Sequence, residues 1–405
     1  MTKYITHTAL FSSGERFPVL LRGDTYQPVV LPTRYVIDER RETKQPGTII
    51  RDLRVLGWLY EWCDQCGIDL EARLRQGEML AVSEISGFCR YLRARRNTTL
   101  IGSIGPPSHG QCDLLSPVSF NSYLGVIEDF LVWAAYEFIP AATPVGEVRD
   151  SVETAKERIR RAFRSNKLGG RHAEQRYGLS AEEVDALRLV VKPGAAQNPF
   201  KKPLQFRNHL IIELMLATGI RRGELLKIKL HHLPQGPKTT LTIERSVDDA
   251  SDPRRNEPHV KTREREIPLP KSLAMSLWDY AQRHRRRGNH SYLFTSHRTG
   301  APLDAAGVNW IFDLLIKRCF PRLKGKLHPH VLRHTFNQRL MEEAQTLEWS
   351  DDQRRKVQTY LNGWSEGSRM PEVYTRRLIE IQAMELAARY QAALYETEEN
   401  HAQLR

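Results

Sequence analysis

Leu327-His328-Pro329-His330-Val331-Leu332-Arg333-His334-Thr335-Phe336 crowds three imidazoles and a guanidinium around a single proline. Proline brings a fixed φ and lacks the N–H that the first turn of a helix leaves unbonded, so a helix can start at Pro329. On that helix His330 and Arg333 stand three residues apart and share a face. Upstream, Ala217-Thr218-Gly219-Ile220-Arg221-Arg222-Gly223-Glu224-Leu225 puts Arg221 just beyond Gly219, where a helix stops. Its side chain can therefore project from a helix junction instead of entering a core. Downstream come Leu361-Asn362-Gly363-Trp364 and Val373-Tyr374-Thr375-Arg376.

These residue types suit phosphate chemistry performed without a metal. Cutting a phosphodiester with a side-chain hydroxyl needs a nucleophile, cations on the non-bridging oxygens, an acid for the leaving oxygen, and a way for the nucleophile to lose its proton. A tyrosine phenol can form the ester, although its ordinary pKa near 10 means that neighbours must help deprotonate it. Two arginines suit the second role, because a planar guanidinium grips phosphate oxygens in pairs and keeps its charge. Arg221 and Arg333 are the expected clamps, whereas Arg222 reads as a solvated surface charge. A metal cluster of His328, His330 and His334 is the rival reading, and it fails for want of an Asp, Glu or Cys at supporting spacing.

The three boxes together resemble the tyrosine recombinase (phage integrase) family. Pro-His-x-Leu-Arg-His-Thr-Phe is similar to its second box, Thr218-Gly219-Ile220-Arg221 with Glu224-Leu225 to its first arginine box, and Gly363-Trp364 to its Gly-His/Trp box. The resemblance implies Arg221, Lys261, His330, Arg333, Trp364 and Tyr374 as catalytic residues, with Glu224 bracing the site and His334 in a supporting position. Lys261, before the strand Arg265-Glu266-Ile267-Pro268-Leu269, would protonate the leaving 5′ oxygen. A plain solvated lysine is the alternative there, as Arg263 and Arg265 lie close. Trp364 would donate its indole N–H to a phosphate oxygen or simply pack in a core. Two spacings depart from the family pattern. The stretch from Arg333 to Gly363 is longer than common, and that from Trp364 to Tyr374 is longer by one residue. Tyr360, Tyr390 and Tyr395 compete with Tyr374, which wins on its motif.

The bulk numbers fit this picture. The chain has 405 residues, long for one core and suited to two domains with an extension. A hydrophobic share of 40% against 27% charged residues describes a globular chain. The 61 Lys and Arg against 48 Asp and Glu leave +13, which favours a polyanion because phosphates neutralised by cations release counterions. Cys63-x-x-Cys66 has no second pair at ligand spacing and lies on a helical apolar stripe, so core packing is expected. Neither a signal peptide nor a membrane-spanning run is evident, and a reducing cytoplasm is the default.

The expected fold is mainly α with a small β-sheet: a helical core-binding domain plus a mixed α/β catalytic domain. Residues 1–45 read as a hairpin or extended arm, with Phe17–Leu21 and Val29–Leu31 as its apolar runs. Residues 46–165 read as the helical DNA-binding domain and 166–177 as a linker. Residues 178–374 read as the catalytic domain, with Ser180 and Glu183 forming a capping box. Within it, Thr239–Ile243, Pro258–Lys261 and Arg265–Leu269 read as three short strands. Residues 375–405 read as a helical tail striped by Ile379, Ala383, Leu386, Tyr390 and Leu394.

The expected partner is double-stranded DNA, clamped by both domains, with four protomers in a synapse and the tail docking on a neighbouring protomer. The resemblance implies cutting and rejoining through a 3′-phosphotyrosyl link, for integration or excision of a mobile element, with no cofactor and no metal. A type IB topoisomerase-like enzyme and a degenerate DNA-binding or architectural protein are the alternatives.

Overall fold

The computed structural model describes residues 3–94, 115–144, 146–169, 177–235, 239–260, 262–372, 383–384 and 386–391. The chain forms two compact units, Met1–Glu174 and Gln175–Arg405. It is mainly α-helical, with one two-stranded antiparallel sheet in each unit.

The first unit opens with β1 (Tyr4–Leu10) and β2 (Arg16–Arg22), paired from Tyr4↔Arg22 to Leu10↔Arg16. The hairpin thus lies earlier than the sequence led us to expect. Its first strand is the polar, Thr-rich run, and Val29-Val30-Leu31 goes into the next element, helix α1 (Val30–Tyr35). The hairpin is no free-standing arm. Leu20, Val29, Leu31 and Tyr35 are buried in one core with Leu53, Leu56 and Phe130. Burial of that apolar surface is what holds the first 45 residues onto the helices.

Those helices are α2 (Pro46–Gln65), α3 (Leu70–Arg75), α4 (Val82–Ala94), α5 (Pro117–Ala142) and α6 (Val148–Asn166). Helix α2 starts on Pro46 and buries the expected stripe of Ile49, Leu53, Leu56, Tyr60 and Cys63. Cys63 is therefore a core residue, and burial pushes its thiol up to about 12, which makes it a poor thiolate. Helix α6 buries Val152, Ile159 and Phe163 and turns Arg149, Arg161 and Arg164 outward.

The second unit begins with α7 (Ala181–Val191), whose start is fixed by the expected capping box. The Glu183 N–H donates to Ser180 Oγ, and the Ser180 N–H donates to the Glu183 carboxylate. Such a cap contributes about 1 kcal/mol. Then follow α8 (Lys202–Thr218), α9 (Arg222–Lys227), β3 (Thr240–Ile243), β4 (Arg265–Pro268), α10 (Lys271–Asp279), α11 (Ala305–Arg318), α12 (Pro329–Gln345) and α13 (Asp351–Asn362). Strands β3 and β4 pair from Thr240↔Pro268 to Ile243↔Arg265. The expected middle strand is missing, since residues 258–260 join no ladder. Pro258 lacks a ladder donor, and the segment before it is drawn onto α9 by buried ion pairs described below. Among the described residues no helix is long and apolar enough to cross a membrane.

Candidate active site

Two helix ends create the site. Helix α8 stops at Gly219, at φ 61°, and α13 stops at Gly363, at φ 62°. Both are left-handed caps that a side chain resists. At Gly219 a Cβ would run into the Phe336 ring, and at Gly363 it would lie 2.7 Å from Arg265 Nη1. Each glycine therefore lets the next segment turn sharply, with Arg221 two residues after Gly219 and Trp364 directly after Gly363.

Arg333 comes up from α12 between those two ends. It is 1% exposed, and it donates from Nη1 to the Gly219 carbonyl (2.7 Å) and from Nη2 to the Asn362 carbonyl (3.0 Å). A buried cation needs such satisfaction, and helix C-termini supply carbonyls with partial negative charge. The indole of Trp364 lies against it, 5.4 Å from guanidinium carbon to ring centroid. Arg221, the N-cap of α9, donates from Nη1 to the same Asn362 carbonyl at 3.3 Å. Two guanidiniums from distant parts of the chain thus meet at one oxygen.

Asn362 is held from behind. Its amide exchanges hydrogen bonds with Asn337 at 2.7 and 2.9 Å, and Gln358 donates to Asn337 Oδ1. All three side chains are buried. This trio was not foreseeable from the sequence, because lone amides carry no periodic signal.

Glu224 lies buried beside the arginines and accepts hydrogen bonds from four groups. Its carboxylate accepts the Arg221 N–H (2.6 Å), the Thr262 hydroxyl, and Arg265 Nη1 and Nη2 (3.0 and 3.2 Å). Burial alone would raise this carboxyl. The Arg265 guanidinium, helped by the other donors, outweighs it and keeps the pKa below the usual range. Arg265 is itself buried by the β4 alternation that also buries Ile267. That inward register, hidden in a run of charges, separates Arg265 from a surface arginine.

His330 lies one turn before Arg333 and is exposed at the surface. Its ring packs edge-on against the mostly buried His334, with centroids 4.6 Å apart. Desolvation, followed by the positive field of His334, Arg333, His328 and Arg221, pushes its pKa down to about 4. Solvent on the exposed edge screens part of this effect, but the imidazole is neutral at pH 7. The structure thus brings Arg221, Glu224, Arg333 and Trp364 into contact, with His330 and His334 in the same electrostatic field. Lys261 and Tyr374 lie outside the described residues.

Among the described residues one cluster has metal-ligand chemistry: His231, His232 and Glu244 bring their donor atoms within 4.8 Å of one another. The Lys229 N–H donates to His232 Nδ1 at 3.0 Å. The His232 proton therefore sits on Nε2, which faces Glu244 at 3.0 Å. A metal would need the lone pair that this proton occupies, so in this tautomer the donor set is not arranged for an ion.

Known proteins similar to this chain match chiefly in this unit. The family model described as "Phage integrase family" matches residues 179–378. That match takes in most of the second unit, so this unit is similar to the phage integrase family. Tyrosine recombinase XerC of Staphylococcus epidermidis is 31% identical over 173 residues, covering 41% of this chain and 48% of the relative. The XerC of Lacticaseibacillus casei is 26% identical over 153 residues, covering 36% and 45%. The chain thus spans about half the length of these relatives. Among solved structures, the Tn1549 transposon integrase in complex with circular intermediate DNA is 15% identical, covering 86% of this chain and 98% of that one, with a TM-score of 0.48. XerA recombinase is 16% identical, covering 88% and 97%, with a TM-score of 0.37.

Proposed function

We propose that this integrase-family chain is a site-specific DNA recombinase that cuts and rejoins strands through a 3′-phosphotyrosyl intermediate. The observation that carries this reading is the shared acceptor: Arg221 and Arg333 both point a guanidinium N–H at the Asn362 carbonyl. An oxygen held by two guanidiniums is what a phosphodiester offers in place of a carbonyl, with a full negative charge added.

In this reading the Tyr374 phenolic oxygen attacks phosphorus and the bond to the 5′ oxygen breaks. The phenol proton passes to the neutral imidazole of His330, whose pKa the incoming phosphate raises. The Lys261 ammonium gives its proton to the leaving 5′ oxygen, so charge and protons balance. Arg221, Arg333 and the indole of Trp364 hold the non-bridging oxygens while negative charge accumulates on them, and such preorganised donors supply the largest share of rate enhancement in many enzymes. The free 5′-hydroxyl of a partner strand then reverses the step on the phosphotyrosyl ester.

Pairwise exchange between two sites takes four protomers. Residues 386–391 are helical, and Leu386 and Tyr390 are 69% and 65% exposed. An apolar stripe left open to water supports tail docking on a neighbouring protomer. Integration and excision of a mobile element is the errand that this strand-exchange chemistry would serve.

A nicked suicide duplex tests the proposal. Wild-type protein should become covalently attached to DNA in the presence of a chelator, and Tyr374→Phe should not. Attachment by Tyr374→Phe would remove the nucleophile and the reading with it. A four-way junction formed from two duplexes distinguishes a recombinase from a swivelling topoisomerase.

A further inference from the structure

Lys227 has no part in the cleavage chemistry, yet its side chain is 3% exposed and sits among acids. Its ammonium donates to Glu257, to Asp252 Oδ2 at 3.2 Å and to the Tyr292 hydroxyl at 3.4 Å, with Asp249 Oδ2 3.6 Å away. The acids are tied in turn. Asp252 accepts Arg254 Nε and Nη2 (2.9 and 2.7 Å) and the Tyr292 hydroxyl (2.9 Å), and Glu257 accepts the Asp249 N–H at 3.2 Å. Arg254 reaches back from Nη1 to the Leu226 carbonyl of α9 at 3.0 Å.

All three acids belong to the connection between β3 and β4. Lys227 and Glu224 stand three residues apart on α9, the short helix capped by Arg221. Glu257 precedes Lys261 by four residues, and Thr262, bound to Glu224, follows it by one. Helix α9 therefore grips the chain on both sides of Lys261. The backbone comes close as well: a Cβ on Gly223 would lie 2.9 Å from the His259 carbonyl oxygen. Buried ion networks return little net stability, because desolvating each charge costs several kcal/mol. Directional bonds at both ends do give one fixed geometry.

We propose that Lys227 is a positioning residue. By binding Asp252 and Glu257 it fixes the β3–β4 connection against the helix that carries Arg221, and so sets the general acid's distance from the phosphate clamp. The proposal rests on the reading of Lys261 as that acid.

The test replaces the leaving oxygen. In a suicide duplex with sulfur at the bridging 5′ position, the P–S bond breaks and the thiolate departs without a proton, so acid catalysis is no longer required. The full-length chain is prepared as wild type, Lys227→Met, Glu257→Gln and Lys261→Ala, and covalent attachment is timed on both duplexes. Glu257→Gln keeps the Asp252 partner of Lys227 and guards against a Lys227→Met protein that does not fold. On the all-oxygen duplex both network variants should be slowed by about tenfold to a hundredfold, at or below the lower end of what a general acid contributes, because the acid is displaced and not removed. On the sulfur duplex they should match wild type to within about threefold. A deficit that persists on sulfur in the network variants, while Lys261→Ala is relieved, overturns the positioning role and leaves the acid intact. Wild-type rates for the network variants on the oxygen duplex also overturn it. Failure of sulfur to relieve Lys261→Ala removes the acid assignment itself.

Discussion

At the scale of single residues, buried charge is tolerated here only in company. Glu224 and Arg265 are each 1% exposed in their side chains and pair at 3.0 Å. Glu224→Gln keeps the shape and removes the charge, leaving Arg265 buried without its anion. The expected cost is about 3 kcal/mol in urea unfolding, with slower covalent attachment because Arg221 loses its brace; unchanged stability would refute the pairing. His330 gives a pH test. An unfolded imidazole titrates near 6.5, whereas the folded one is pushed down to about 4. Between those values the unfolded chain binds more protons. The neutral imidazole's contribution is therefore present in full above about 6.5 and lost as the pH falls through about 4. Wild type should lose stability across that window more steeply than His330→Gln, and equal slopes in urea midpoint against pH would sink the assignment.

At the scale of elements, the two glycine caps matter more than any one strand. Each ends a helix in the left-handed region and releases a residue into the site. Gly219→Ala combines an unfavourable φ with a clash against Phe336, and the strained backbone alone costs about 1 kcal/mol or more. The expected result is a lower melting temperature together with loss of covalent attachment, since the Gly219 carbonyl also anchors Arg333. An alanine variant that melts and cleaves like wild type would mean that the turn is not what aims Arg221.

At the scale of the molecule, the surplus of +13 favours a polyanion, and the proposed DNA binding and tail docking can each be tested. Affinity for duplex DNA should fall linearly with salt on logarithmic axes, with a slope of about −0.9 for each phosphate neutralised; filter binding from low to moderate salt measures it, and a flat line would exclude phosphate-led binding. Leu386→Ser with Tyr390→Ser should leave single-duplex binding intact while reducing higher-order complexes in native gels. Unaltered complexes would show that the exposed stripe does not join protomers.

Local pattern carried much of this in the sequence alone. A proline before a helical run, a glycine where a helix stops, a capping box and the stripe from Ile49 to Cys63 act over a few residues, so their physics is legible without coordinates. The boxes around Arg221, Arg333 and Trp364 were readable as a family resemblance. Contacts between distant segments were not. Asn337 with Asn362, Arg265 with Glu224, and Lys227 with Asp252 and Glu257 join residues far apart in the chain. Apart from Glu224, marked by its box, nothing in their own neighbourhoods distinguishes them from solvated side chains. Whether a charge is buried depends on what folds over it, and tertiary packing alone settled that for the Asn362 carbonyl, where two guanidiniums meet.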